Sequence, residues 1–207
     1  MKTITFLLSL LFTTPFLSQD KAAYKLYDNN GKEIEYAKMI KDLAKADIVF
    51  FGELHNDPIA HWLELEVTKD LYANTGKKLS LGAEMYESDN QLILDEYLNG
   101  TISKKKFLSE MRLWPNNSTD YQPLVDFAKE NELKFIASNV PRRYASLVFT
   151  AGFEGLEKVS NEGQQYFAPI PIEYDSSIAC YANMLTMEGM GDHAMPTLPM
   201  AQALKDA

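Results

Sequence analysis

The architecture of this chain is indicated first by Ile48-Val49-Phe50-Phe51-Gly52-Glu53-Leu54-His55-Asn56-Asp57-Pro58, where an apolar run meets a glycine, a carboxylate and an imidazole. Residues 48–51 predict a fully buried strand. Asp57 suits a helix N-cap and Pro58 the first helical position, so a helix is predicted to begin here. Glu53 and His55 are therefore expected at the C-terminal end of a strand, facing a helix N-terminus that favours anions.

The same pattern recurs twice further along the chain. Residues 79–83 predict a second strand, and residues 134–138 predict a third. Helical patterns separate the strands, so right-handed crossovers would place their polar ends on one edge of a parallel sheet. The sequence therefore predicts an α/β fold with a parallel or mixed central sheet flanked by helices. The expected cleft at that edge collects Glu53, His55, His61, Glu84, Tyr86, Asn139, Arg142, Arg143 and Tyr144.

The rest of the chain fits one domain at residues 19–207, because nothing marks a linker. Residues 24–35 carry Asn29-Asn30-Gly31 and predict a hairpin or an extended lead-in. The sequence ends inside a helical pattern without a closing turn, so the domain is expected to be incomplete at its C-terminus. The predicted helices span residues 38–46, 58–73, 90–98, 103–111, 120–131, 141–151, 176–187 and 200–207.

The N-terminus predicts export. Lys2 precedes an apolar run at residues 4–17, which is typical of a secretory signal peptide at residues 1–18 and is too short for a stable bilayer anchor. We therefore expect the protein in the periplasm or at the cell surface. No cysteine follows the run, so a lipid anchor is not indicated.

Composition excludes some classes of partner. The formal net charge is −9 at pH 7, which repels phosphate backbones, so no nucleic-acid partner is predicted. A hydrophobic content of 46% argues against disorder. Cys180 is the one cysteine and cannot form an intramolecular disulfide, so it is interpreted as a small buried hydrophobe.

The polar residues at the strand ends allow more than one chemistry. A carboxylate such as Glu53 or Glu84 that is buried there needs a cation, a metal ion or backbone donors. Pairing with arginines, helix capping and a metal site all satisfy that need. His55 and His61 are expected to converge at the mouth of the helix, while His193 falls in an irregular segment at residues 189–199.

Three of these segments together resemble the ChaN-like family, within the wider group that includes Tiki, TraB and erythromycin-esterase-like proteins. They are Gly52–Pro58, Gly82–Glu87 and Ala137–Arg142, and the resemblance extends over about residues 46–207. It implies an exported, iron-regulated, haem-binding protein of haem acquisition at the outer membrane. It also implies a homodimer that encloses a pair of stacked haems, with a possible outer-membrane haem receptor as partner.

In the family a tyrosine binds iron and a histidine contacts a propionate across the dimer. The resemblance implies Tyr144 as the first choice for the iron ligand and Tyr86 as the second. His55 leads for the propionate contact, followed by His193, and His61 is also assigned to cofactor binding. Arg142 and Arg143 are the expected charge partners of the propionates. An apolar surface for the porphyrin is available at Met184, Met187, Met190 and Met195, unless these fill the core.

Three further hypotheses stay open. The first is a metal-dependent hydrolase in which Glu53, His55 and Glu84 hold a divalent ion that activates water. The second is an esterase-like hydrolase with a histidine as general base and no metal. The third is a binding or scaffold role for another ligand. The haem hypothesis needs a tyrosine and requires no catalysis, whereas the metal hypothesis needs Glu53.

Overall fold

The structure is a computed structural model, and it describes residues 22–172, 175 and 177–179. In that part of the chain, helices flank a small parallel sheet of two strands, so the predicted α/β class is confirmed. The strands are β1 (Ser80–Glu87) and β2 (Lys134–Asn139). The helices are α1 (Tyr36–Leu43), α2 (Pro58–Thr75), α3 (Gln91–Leu98), α4 (Lys104–Glu110), α5 (Gln122–Glu130), α6 (Arg142–Ala151) and α7 (Asn161–Gln164).

Several predictions fall outside the described residues. These are the signal peptide, most of the helix at 176–187, Cys180, the four methionines, His193 and the final helix. Of the two alternatives for residues 24–35, the structure has the hairpin, since Tyr27 and Glu33 form an antiparallel bridge. Among the described helices, none has both the length and the apolar character needed to cross a membrane.

Helix α2 begins where the sequence predicts. The Asp57 carboxylate accepts hydrogen bonds from the backbone N–H groups of Ile59 and Ala60, at 2.9 and 3.3 Å, and Pro58 occupies the first turn. The helix ends at Gly76, whose φ of 62° lies in the region that glycine adopts without strain. The N-cap fixes the angular position of the first turn, and with it the direction of His61.

The sheet is parallel, with Ser80 opposite Lys134 and Ala83 opposite Ala137. Helices α3, α4 and α5 make the crossover between the strands. The side chain of Gln91 continues the hydrogen bonding along β2: its Nε2 donates to the Phe135 carbonyl at 2.9 Å, and its Oε1 accepts from the Ala137 N–H at 2.7 Å. This amide holds the start of α3 against the strand.

The main core lies between the sheet and helices α3 to α5. Its fully buried members are Tyr86, Leu94, Phe107, Val125, Ala128 and Phe135. A smaller cluster of Ile40, Val67 and Leu71 joins α1 to α2. Helix α2 is thus held at its start by the Asp57 cap and further along by the packing of Val67 and Leu71 against α1.

The prediction of a buried strand at residues 48–51 is wrong. The segment belongs to no strand, and Ile48 and Phe50 are 71% and 92% exposed. A cavity of about 1160 Å³ is lined by this segment on one side and by residues of both strands on the other. Apolar composition favours burial only where a surface is available to cover the side chains, and the described residues do not cover Phe50.

Candidate functional site

Three side chains converge at the start of α2. Glu53 comes from the extended segment before the helix, while His61 and Glu64 lie three residues apart and so share one helix face. One ligand atom of each residue lies within 4.8 Å of the corresponding atom of the other two. We call these residues the Glu53–His61–Glu64 cluster.

His61 is held in a single orientation. It is 4% exposed, and its ring packs edge-on against the ring of Tyr121, with centroids 4.9 Å apart. Its Nε2 lies 3.2 Å from the carbonyl oxygen of His55 and 3.6 Å from Asp120 Oδ2. Because a carbonyl only accepts hydrogen bonds, Nε2 is the donor in this contact, and Nδ1 faces the cluster.

Glu53 uses its two oxygens differently. Oε1 accepts a hydrogen bond from the Tyr121 hydroxyl at 2.9 Å and contacts His55 Nδ1 at 2.9 Å. Oε2 lies 2.8 Å from His61 Nδ1, which is close enough for an ion pair, yet the contact is not a hydrogen bond. Glu53 Oε2, His61 Nδ1 and Glu64 Oε2 are all buried without a hydrogen-bond partner among the described residues.

The two carboxylates of the cluster disfavour each other's negative charge. Burial raises the pKa of Glu64 to about 7; the nearby charge of Glu53 acts in the same direction, and His61 opposes it. The Tyr121 pKa is also raised, by burial and by its hydrogen bond to Glu53. Two carboxylates and an imidazole are donor types that divalent transition metals accept. The metal set predicted from sequence, Glu53, His55 and Glu84, shares only Glu53 with this cluster.

His55 lies beside the cluster but on the surface. Its side chain is 48% exposed and packs against Trp114, with ring centroids 5.3 Å apart. Asn116 donates to its backbone carbonyl at 2.9 Å, which connects this segment to the turn before α5. The structure therefore brings His55, His61 and Glu53 together at the mouth of α2, while it gives the two histidines different exposure.

The two candidate residues of the second predicted junction lie in different places, one at the cavity and one in the core. Glu84 is exposed and lines the cavity, as does Glu64. Tyr86 is 1% exposed, and its hydroxyl donates to Asn117 Oδ1 at 2.8 Å. Burial raises the pKa of Tyr86, because a phenolate would lose its hydration.

The third predicted junction forms its own ion-pair network. Arg143 pairs with Asp89, which also pairs with Arg112. The alternative in which Arg143 pairs with Glu53 or Glu84 is therefore not what forms. The Arg143 guanidinium lies 4.4 Å from the Tyr144 ring centroid and donates to the Tyr144 hydroxyl at 3.3 Å. Tyr144 is 9% exposed and also packs against Phe167, and Arg142 is exposed.

Sequence reasoning missed three residues of this site. Glu64 could have been found, because it is a carboxylate one turn after His61 on the buried side of an amphipathic helix. Asp120 and Tyr121 carry no such signal, since they reach the cluster from a turn more than fifty residues away in sequence.

Comparisons with known proteins agree with the resemblance seen in the sequence. A model of the family described as haem-binding uptake, Tiki superfamily, ChaN matches residues 39–207. The fold is similar to that in the structure of cofacial haem binding to ChaN of Campylobacter jejuni. The TM-score is 0.51 and the identity 21%, over 59% of this chain and 50% of that one. At that identity, the likeness shows the fold alone.

A plant protein is also similar in sequence. Protein RETICULATA-RELATED 5, chloroplastic, of Arabidopsis thaliana is 29% identical over 133 residues, which is 61% of this chain and 18% of the relative. The chain therefore spans half of the solved ChaN chain and under a fifth of the plant protein. Because the family model matches most of its length, the chain belongs to the haem-binding uptake family of the Tiki superfamily to which ChaN belongs.

Proposed function

We propose that this protein binds haem and serves haem or iron acquisition outside the cytoplasm. The observation that carries the proposal is the match of residues 39–207 to a haem-binding uptake family. Export through the signal peptide predicted at residues 1–18, and delivery to or from an outer-membrane receptor, belong to the same proposal. No catalytic step is required by it.

An exposed apolar surface beside His55 supports haem binding. Phe50 and Leu54 are 92% and 75% exposed, and Trp62 on α2 is 47% exposed. Covering such side chains with a porphyrin face or a second subunit gains hydrophobic free energy. His55 is half-exposed on the same segment, so we propose it as the contact to a haem propionate. His61 is buried in the cluster and is poorly placed for that contact.

We propose Tyr144 as the iron ligand. The Arg143 guanidinium beside its hydroxyl is a suitable partner for an iron-bound tyrosinate. Tyr86 is the second choice, because it is buried in the core and already bonded to Asn117. Arg142 is exposed and forms no ion pair within the described part of the chain, so it is the better placed of the two for a propionate, whereas Arg143 is held by Asp89.

We further propose that two copies of the chain enclose haem, as the family resemblance implies. A dimer would shield the exposed apolar residues of the segment at 48–54 from water. The exposed surface of one subunit would cover one face of the haem, and the second subunit would cover the other.

The test is a haemin titration of the purified chain, followed by the Soret absorption and by the molar mass in solution. Saturable binding with a high-spin, tyrosinate-type spectrum and a dimeric mass is expected. Tyr144→Phe should remove the tyrosinate spectrum, whereas Tyr86→Phe and the exposed control Tyr27→Phe should retain it. A folded chain that gives no saturable Soret change would contradict haem binding, and a spectrum retained by Tyr144→Phe would contradict the ligand.

A further inference from the structure

We propose that Glu53, His61 and Glu64 bind a divalent transition-metal ion, through one oxygen of each carboxylate and Nδ1 of the imidazole. The site is separate from the haem proposal and does not rest on it. It also differs from the metal set suggested by sequence, because two of its three ligands lie on α2.

The spacing of the three atoms fits an ion. His61 Nδ1 lies 2.8 Å from Glu53 Oε2 and 3.9 Å from Glu64 Oε2. Ligands about 2.1 Å from a tetrahedral metal lie roughly 3.4 Å from one another, which falls between these two distances. Small side-chain adjustments would therefore admit the ion without movement of the backbone.

The three atoms lack any other partner in the described part of the chain. Glu53 Oε2, His61 Nδ1 and Glu64 Oε2 are buried and make no hydrogen bond there. His61 is only 4% exposed, and its Nδ1 faces both carboxylates. Buried polar atoms without partners destabilise a fold, so three such atoms around one point are suited to a cation.

The surrounding contacts orient these ligands as metal ligands are commonly oriented. His61 directs its Nε2 at the His55 carbonyl, which leaves Nδ1 for the ion. Glu53 Oε1 is held by the Tyr121 hydroxyl, which leaves Oε2 for the ion. Metal-binding histidines and carboxylates characteristically use their second atom in this way, because the outer bond fixes ring and carboxylate orientation.

A proton satisfies this cluster less well than a metal ion. A proton on His61 Nδ1 would serve one carboxylate, and the 2.8 Å contact to Glu53 lacks the angles of a hydrogen bond. A divalent ion would serve all three atoms and offset both negative charges. The mixture of nitrogen and oxygen donors favours Zn²⁺ or Fe²⁺ over Mn²⁺, Mg²⁺ or Ca²⁺, which prefer oxygen ligands.

The experiment uses the full chain, freed of haem and treated with a chelator, and Zn²⁺ as the probe in isothermal titration calorimetry. We expect one Zn²⁺ per chain and a rise in melting temperature on binding. Glu64→Gln should weaken the affinity at least about tenfold, and His61→Gln should weaken it further. Glu66→Gln is the matched control, because Glu66 is partly exposed on the same helix and pairs only with Lys69 among the described residues, so the Zn²⁺ affinity of this variant should be unchanged.

Co²⁺ substitution gives an independent readout. Visible d–d absorption should appear with one equivalent of Co²⁺, disappear on addition of Zn²⁺, and be absent or shifted in Glu64→Gln. If His61→Gln does not fold by circular dichroism, Glu64→Gln decides, because Glu64 is partly exposed and glutamine matches its shape. Absence of binding, or equal affinity in Glu64→Gln and the wild type, would overturn the proposal. Loss in His55→Ala with retention in Glu64→Gln would place the ion on the surface and would also overturn it.

Discussion

At the scale of single residues, His55 and His61 show how position decides chemistry. They lie six residues apart, yet one packs on Trp114 at the surface and the other is enclosed by Glu53, Glu64 and Tyr121. The exposed histidine is available to a ligand that arrives from solvent. The enclosed histidine contacts only protein groups around it, among them the two carboxylates of the cluster.

Tyr86 is expected to be a structural residue. Tyr86→Phe removes the hydrogen bond to Asn117 Oδ1 and leaves that oxygen unpaired in the core, so the free energy of unfolding should fall by about 1–3 kcal/mol. Urea unfolding measures the change, and Tyr27→Phe, at an exposed position, should show almost none. Equal stability of both variants would argue against the Asn117 contact.

Asp126 should make stability depend on pH. Burial pushes its pKa upward, but hydrogen bonds from Lys104, Tyr97 and Gln122 outweigh burial and hold the pKa below its usual value. The folded-state pKa lies below the unfolded one, so this stabilisation is present above the unfolded pKa and is lost as pH falls through the folded one.

Asp126→Asn is therefore expected to lower the free energy of unfolding at pH 7 and to cost progressively less below about pH 4. Urea unfolding at several pH values measures this difference. The exposed control Asp47→Asn should show no such dependence. A deficit of Asp126→Asn that is as large in acid as at pH 7 would show that ionisation of Asp126 is not its source.

At the scale of elements, the start of α2 organises the candidate site. The Asp57 cap fixes the first turn, and the same turn carries His61 toward Glu53. The helix C-terminal to this turn is held by packing against α1, so a loosened cap should disturb the first turn most.

Asp57→Ala should lower the free energy of unfolding by about 1 kcal/mol, because two backbone N–H groups lose their acceptor. It should also weaken Zn²⁺ binding, since His61 is no longer fixed. Asp57→Ser keeps a capping oxygen and is expected to restore both. Chemical unfolding and calorimetry on the wild type, Asp57→Ala and Asp57→Ser measure both properties. If Asp57→Ser restores neither, the loss in Asp57→Ala does not come from the missing cap.

At the scale of the whole molecule, the described residues leave an apolar surface open. The sheet has two strands there, and residues 48–51 line a large cavity instead of pairing with β1. A two-stranded sheet has little stability by itself, so the helices α3 to α5 carry most of the core. Haem and a second subunit are the proposed cover for the open surface.

Phe50→Ser should weaken haem binding and dimerisation while changing the free energy of unfolding by less than about 0.5 kcal/mol, because Phe50 is 92% exposed in the single chain. Leu92→Ser is the matched control, since Leu92 is 68% exposed on α3, and it should affect neither property. Soret titration and molar-mass measurement test both variants. Unchanged haem affinity in Phe50→Ser would remove this surface from the haem proposal.

Local patterns in the sequence were sufficient to predict the helix start at Asp57 and strand β2, and to recognise the family resemblance. Caps act within one helical turn and side-chain alternation acts within one strand, so a short window of sequence contains the cause. For the same reason Glu53, His55 and His61 could be recognised as neighbours. They lie close together in sequence, on the segment that leads into α2 and on the first turn of that helix.

Only the tertiary structure decided that Ile48 and Phe50 are left exposed by the described residues, that Glu64 completes the cluster and that Arg143 pairs with Asp89. Each of these depends on surfaces brought together across long stretches of chain. Tyr121, which holds Glu53, is 68 residues away from it in sequence. Burial and pairing are properties of the neighbours a side chain meets after folding, and residue type alone does not determine them.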